Sequence, residues 1–484
     1  MLNQCLSDRC LMRLRHFLLL MCIPLLSTQA QVDFNRFFYD KTMRVDYHHI
    51  GTKGEERITL DKVFQEGPWP GSTVNLIDTL NLGMFLVRVF DVQSGMLLYS
   101  RGYSTVFNEW QTTAEAGSGV WKTFHESVRF PFPRRTVQVT ISRRDDHLIF
   151  REKFSTVIDP NDPTQVIAET QFPPFEVIDL MDNGDIHKNV DIVIIGDGYA
   201  AEDMEKFKKD AKHFNDVMFD TEPFKERAKD FNVRAVCAVS PQSGIDVPDR
   251  NVWKNTAIGS MYNTFGSPRY VLTESNRELR DIAAAAPYDF ICILINDSRY
   301  GGGGIYQLYT TTYVNETHEG QEWQRDYVYV HEFGHSFGGL GDEYYSSSTG
   351  YDEFYPEGVE PWEPNVTRLL HAPHVKWEAY LTPGIDMPTD WGKAEYDKIR
   401  AELGTMDRLA DDYYEKRAPL FTRMREISQN KELLGKVGAF EGAGYVSEGM
   451  YRPSLDCRMF SLSLTDFCPV CRAAIERQID FYAN

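Results

Sequence analysis

His331-Glu332-Phe333-Gly334-His335 is the segment of this chain whose residue types and spacing suit chemistry. On a helix, side chains at i and i+4 stand one above the other, about 6 Å apart along the axis and offset by about 40°. Two imidazoles so placed reach one metal ion at about 2.0–2.1 Å each. Glu332 points to the open side of that ion and is the candidate general base. Zinc lowers the pKa of a coordinated water toward about 7, so hydroxide is available at neutral pH. Attack on a scissile carbonyl follows, and the glutamate carries the proton to the leaving amine. With 12 histidines in 484 residues, the motif is expected by chance about 0.02 times. Two histidines merely satisfied on a helix are therefore the weaker reading.

A catalytic zinc takes three protein ligands and a water. After His335 the chain reads Ser-Phe-Gly-Gly-Leu-Gly-Asp-Glu-Tyr-Tyr. The helix is predicted to stop at Gly338-Gly339, because glycine accepts the left-handed turn that ends helices. The third-ligand candidates are then Asp342 and Glu343. Neighbours in an extended segment point to opposite sides, so only one of them faces the metal. Asp342 is favoured, being nearer the turn and shorter. Glu343 is left to orient a histidine, or exchanges roles with it. Glu353 and Glu357 are rival ligands only if a second helix carries them. TGYDEFYPEGVEP has no helical period and contains Pro356. Tyr344 and Tyr345 are either hydrogen-bond donors to an oxyanion or aromatic packing.

These side chains need a scaffold. Residues 31–160 show short alternating runs (ERITLDKVF, NLGMFLVRVFD, MLLYSRGYSTVF, RTVQVTISRR) broken by GPWPGS, EAGSG and PFPRR. That grammar predicts an all-β sandwich. Residues 161–188, with IDPNDPTQ and QFPPFEV, read as a linker. From 189 to 484 the pattern changes. VDIVIIGDGY is a continuous apolar run, the mark of a strand buried on both faces. A helix with Met204, Phe207, Ala211, Phe214 and Met218 on one face follows. The strand FNVRAVCAV, the helix ESNRELRDIAAAA and the strand DFICILIND come next, an alternation that predicts an α/β domain with a mostly parallel sheet. Tyr300-Gly301-Gly302-Gly303-Gly304 reads as a loop. IYQLYTTTYV reads as an edge strand, with Gln307–Thr312 forming one wall of the cleft.

The composition, 42% hydrophobic and 25% charged, excludes a disordered chain and a multi-span membrane protein. MRLRHFLLLMCIPLLSTQA has the layout of a secretory signal peptide cleaved near Ala30. The mature chain is then expected to be secreted, periplasmic or at the cell surface, with no membrane span. Removing residues 1–30 takes away Arg9, Arg13, Arg15 and Asp8, leaving 48 basic against 70 acidic side chains, a formal charge of −22. So acidic a chain is a poor partner for nucleic acid. Five cysteines remain. Cys237 and Cys292 sit in apolar runs and read as core. Cys457 is expected to pair with Cys468 or Cys471, leaving the third free.

HEFGHSFGGLGDEYY resembles the signature of the IgA-peptidase family of bacterial zinc metallopeptidases. VDIVIIGDGYAAEDMEKF and YRPSLDCRMFSLSLTDFCPVCRAAIE are similar to other segments of that family. The resemblance covers the chain from about residue 35 to the end. It implies a multidomain protein, with the N-terminal β domain ahead of a metzincin-like zinc peptidase domain. It further implies a catalytic Glu332, zinc ligation by His331, His335 and a downstream acid, and a protein or peptide substrate. Met459 becomes the methionine of the turn beneath the metal, with Met450 its competitor. A third ligand that is not histidine departs from the general metzincin pattern, in which that position falls on Gly341. A surface adhesion protein with a structural zinc is the alternative outside the enzymes.

Overall fold

The computed structural model describes residues 31–168, 175–315, 322–345, 349–406, 412–462 and 466–483; the expected leader lies outside them. After a short helix α1 (Phe34–Phe37), two four-stranded sheets form the N-terminal region. One contains β1 (Phe38–Gly51), β2 (Glu56–Glu66), β5 (Lys122–Pro133) and β8 (Val166–Ala168), in the order β5-β1-β2-β8. The other contains β3 (Phe85–Asp91), β4 (Leu97–Tyr103), β6 (Val137–Arg144) and β7 (Phe150–Ile158), in the order β4-β3-β6-β7. Period two sends alternate side chains to one face. Met43, Val45 and Tyr47 of β1 accordingly share one core with Phe85, Val87 and Val89 of β3 and with Val139 and Ile141 of β6.

Two features depart from the all-β expectation. The run MLLYSRGYSTVF does not stay extended: β4 ends at Tyr103, and helix α2 (Val106–Trp110) follows, then α3 (Ala114–Gly117). Thr105 caps α2, its side chain accepting from Asn108 N–H while Asn108 accepts from the Thr105 N–H. The opposite face of β1 also escapes solvent. Arg44 and Asp46 are fully buried, and Arg44 binds Asp281 at 2.7 Å and Glu66 at 2.9 Å.

Asp281 belongs to the second region. There a six-stranded sheet runs β13-β14-β12-β10-β11-β9. Its strands are β9 (Glu176–Met181), β10 (Val190–Asp197), β11 (Phe231–Cys237), β12 (Phe290–Ile295), β13 (Gly302–Ile305) and β14 (Tyr309–Tyr313). The four inner strands are parallel, and β9 and β13 pair antiparallel at the edges. Helices α4 (Met204–Phe219) and α5 (Asn276–Ala283) carry the connections. Residues 161–188 supply β8 to the first region and β9 to the second, each paired with a distant strand that no local pattern announces.

The edge strand is not where the sequence placed it. IYQLYTTTYV turns at Tyr306–Leu308, and β14 lies inside the sheet between β12 and β13. The glycine run forms the edge instead. The reason is space: helix α6 (Glu322–Gly338) crosses β13 so closely that a Cβ on Gly304 would lie 2.1 Å from the Glu332 carbonyl oxygen. Only glycine permits that approach.

Beyond α6 come α7 (Lys393–Thr405), α8 (Tyr413–Ser428), the hairpin β15 (Phe440–Ala443)–β16 (Val446–Arg452) and α9 (Pro469–Ala483). Helix α9 packs under α6, with Ile475 against Gly338. No helix among the described residues is long and apolar enough to cross a membrane.

Candidate metal centre and its cleft

Helix α6 turns Val330, Phe333 and Phe337 into the main core and leaves Glu332 and His335 lining a cleft, with His331 buried beside them. It ends as glycine dictates: Gly339 has φ 63°, and its N–H bonds the His335 carbonyl at 3.1 Å. The chain then doubles back beneath the helix end. His335 Nδ1–H donates to Leu340 O at 2.6 Å, and His331 Nδ1–H donates to Arg458 O at 3.1 Å. Both rings are thereby oriented with Nε2 inward.

The two Nε2 atoms are 3.3 Å apart. Asp342 Oδ1 lies 3.1 Å from His331 Nε2 and 3.3 Å from His335 Nε2. Three donors on one tetrahedral ion at 2.0–2.1 Å are spaced by about 3.3–3.4 Å. The observed triangle matches that spacing, and Asp342 Oδ1 is buried with no hydrogen-bond partner. Electrostatics agree. Burial lowers the His335 pKa, yet Asp342 beside it outweighs that pull and raises it to about 10. Burial also opposes ionisation of Asp342, but His335 and His331 hold its carboxyl well below the usual range. Asp342 is thus ionised, as a metal-binding carboxylate must be.

Glu343 points the other way. It touches neither histidine; its Oε1 accepts from Asn365 Nδ2 at 2.9 Å and lies 3.0 Å from Cys471 Sγ. The role of orienting a histidine falls to backbone carbonyls instead. Met459 is fully buried, with its sulfur 3.0 Å from where a Gly334 Cβ would stand, directly under α6. Met450 packs elsewhere, with Tyr355 and Val366. Glu353 pairs with Lys53 at 3.0 Å on the surface. Tyr345 leaves the site to bond Asp397, whereas Tyr344 stays beside it and accepts from Arg269 Nη2 at 3.3 Å. The expected disulfide is absent: Cys237, Cys292, Cys457, Cys468 and Cys471 are all free thiols.

The cleft, about 300 Å³, is lined by Glu332, His335, Asp342, Tyr344 and Arg269. Three contributors were invisible to motif reasoning. Tyr445, from the β15–β16 turn, donates to Asp342 Oδ2 at 2.5 Å. Glu363 reaches the cleft from the stretch between Tyr345 and the C-terminal segment. Glu109, from α2 of the N-terminal region, accepts from Tyr270 and, at 2.9 Å, from Tyr351. Burial raises the Glu109 pKa to about 7 despite both tyrosines. No spacing links these residues to the histidines, so no local signal could have found them.

A candidate metal centre in an open cleft, on a helix crossing a mixed sheet, has the build of a metal-dependent hydrolase. The family described as IgA Peptidase M64 matches residues 178–479, more than half of the chain, and its N-terminal companion, Peptidase M64 N-terminus, matches residues 33–155. The chain belongs to the IgA peptidase M64 family of metallopeptidases, and is a peptidase acting on protein substrates. A comparison with curated proteins finds no match.

Proposed function

We propose that this chain is a secreted, zinc-dependent endopeptidase of extracellular proteins, with a metzincin-like catalytic region behind an N-terminal β-sandwich. His331, His335 and Asp342 hold the zinc, Met459 floors it, and Glu332 is the general base. One observation carries the reading: three donor atoms converge at the spacing of one tetrahedral ion, beside a glutamate that faces the same cleft.

When bound, zinc supplies Lewis acidity to a water and to the scissile carbonyl. The remaining steps belong to the chain. Glu332 accepts the water's proton and delivers it to the departing amine. Burial raises the Glu332 pKa, which makes its carboxylate a stronger proton acceptor. Tyr344, whose oxygen accepts from Arg269, keeps its own hydroxyl proton available for an oxyanion. Gly302 is already paired with Arg269 and Val271, so the β13 edge meets the cleft at Gly304, where an extended peptide would approach the backbone.

A structural zinc in an adhesion protein takes four protein ligands. The cluster beside the cleft offers three, which favours catalysis. The test is cleavage of a mixed peptide library by the mature chain, with and without chelator. Glu332→Gln keeps shape but removes the proton acceptor. Turnover is expected to fall by about 10²–10⁴-fold with zinc retained. Activity within tenfold of the unaltered chain would overturn the mechanism.

A further inference from the structure

The C-terminal cysteines play no part in the chemistry above. Cys457 sits in the turn that carries Met459. Cys468 immediately precedes α9, and Cys471 lies in its first turn. Their three sulfurs and a Glu343 carboxylate oxygen all lie within 4.8 Å of one another, and all four residues are buried. None of the four lines the cleft.

The spacing discriminates between the chemistries open to such a group. Cys457 Sγ and Cys471 Sγ are 3.8 Å apart. A disulfide needs about 2.05 Å. Two thiolates on a tetrahedral zinc, each at about 2.3 Å, stand about 3.8 Å apart. The Cys468 N–H points at Cys457 Sγ at 3.3 Å, and the start of α9 directs its positive dipole end to the same cluster. Both bring positive partial charge to the sulfurs, opposing the burial that pushes the Cys457 and Cys471 thiols up.

Glu343 supplies an independent argument. It is wholly buried, and its Oε2 has no hydrogen-bond partner. A buried carboxylate left with an open lone pair is costly unless a cation answers it. A core of three thiols would be served better by an apolar neighbour than by this residue.

We infer that Glu343, Cys457, Cys468 and Cys471 form a second metal site, a closed cage of three sulfurs and one oxygen for a structural zinc ion. Loading displaces the thiol protons, up to three per ion, and involves no redox change. Four protein donors leave no open position, so the ion is a staple rather than a catalyst. It ties together the Asp342-Glu343 segment, the Met459 turn and the start of α9. Glu343 N–H already bonds Met459 O at 2.9 Å across that junction. The candidate catalytic donor Asp342 is thus held one residue from a rigid anchor.

The test counts metal and identifies its ligands in the full mature chain. Elemental analysis is expected to find two zinc ions per chain. His335→Ala should keep one, and X-ray absorption of that variant should show sulfur neighbours at about 2.3 Å. Cys468→Ser should lose the sulfur-bound ion. Should that variant fail to fold, cobalt substitution of His335→Ala gives a second readout, a thiolate-to-cobalt charge-transfer band. A folded His335→Ala chain without metal, or a disulfide within the cysteine trio in unreduced peptides, overturns the inference. Sulfur-bound zinc in an unaltered chain that holds no second ion would support the cage while refuting the proposed catalytic centre.

Discussion

The Tyr445 hydroxyl donates to Asp342 Oδ2 at 2.5 Å, joining residues 103 positions apart. The bond occupies the carboxylate oxygen that faces away from the histidines and turns Oδ1 toward them. Groups that orient a metal ligand in this way typically contribute about 10–100-fold to metal affinity. Tyr445→Phe removes only the hydroxyl, so the fold should persist and zinc affinity should fall by about that factor. Competition against a graded series of chelators measures it; unchanged affinity would mean that Asp342 is held by other contacts.

Asp342 and Glu343 are neighbours with opposite assignments. Asp342→Ala should lose the ion at the histidines and all peptidase activity, while sulfur-bound metal remains. Glu343→Ala should weaken the cysteine cage first and reduce activity only through loss of order. Metal content and activity measured side by side separate the two. If Glu343→Ala alone empties the histidine site, the roles are reversed.

Gly304 is where β13 and α6 approach most closely. An added Cβ would lie 2.1 Å from Glu332 O and 3.1 Å from His335 Cβ. Gly304→Ala must push strand and helix apart, at about 1–3 kcal/mol or more, and should move Glu332 with them. A lowered Tm together with lost turnover is expected. Gly54→Ala is the control, since a Cβ there meets nothing within 4 Å. Equal behaviour of the two variants would count against the close-packing argument.

Glu56 links acid stability to the N-terminal region. Burial alone would raise its pKa, but a bond from His49, the charge of Arg143 and a bond from Lys153 outweigh it and lower the value from 4.5 to about 2. The side chain is only 4% exposed, so the shift translates to roughly 3 kcal/mol. A lowered folded-state pKa gives stability that is complete above about 4.5 and disappears as pH falls toward about 2. The stability difference between the unaltered chain and Glu56→Gln should therefore be largest near pH 7 and shrink through that window. Denaturant melts across pH 7 to 2.5 test this, and a difference that grows in acid would reverse the sign.

Much of the architecture was legible because it is written locally. The His331–His335 spacing places two imidazoles on one helix face wherever that helix sits. Gly338-Gly339 ends it by backbone conformation alone. Unbroken apolar runs announce β10 and β12 as strands covered on both sides, and the period of Phe207, Ala211, Phe214 and Met218 selects the inward face of α4.

The remainder depended on what lies opposite each residue. Arg44 and Asp46 alternate with apolar side chains as a solvent face would, yet α5 covers them. The glycine run looked like a loop because glycine disfavours strands; only the approach of α6 makes it the sheet edge. Cys457, Cys468 and Cys471 lie close enough in sequence for a disulfide, yet in the fold they gather around Glu343. By itself the sequence determined the buried strands β10 and β12, the inward face of α4, the glycine stop and the placing of His331 and His335 on one helix face, since backbone conformation and helical period act within a few residues. Tertiary structure alone decided the edge strand, the Tyr445 support, the Glu109 wall and the company of the cysteines. Those rest on contacts between distant segments, set by which surfaces bury one another rather than by any neighbour in the chain.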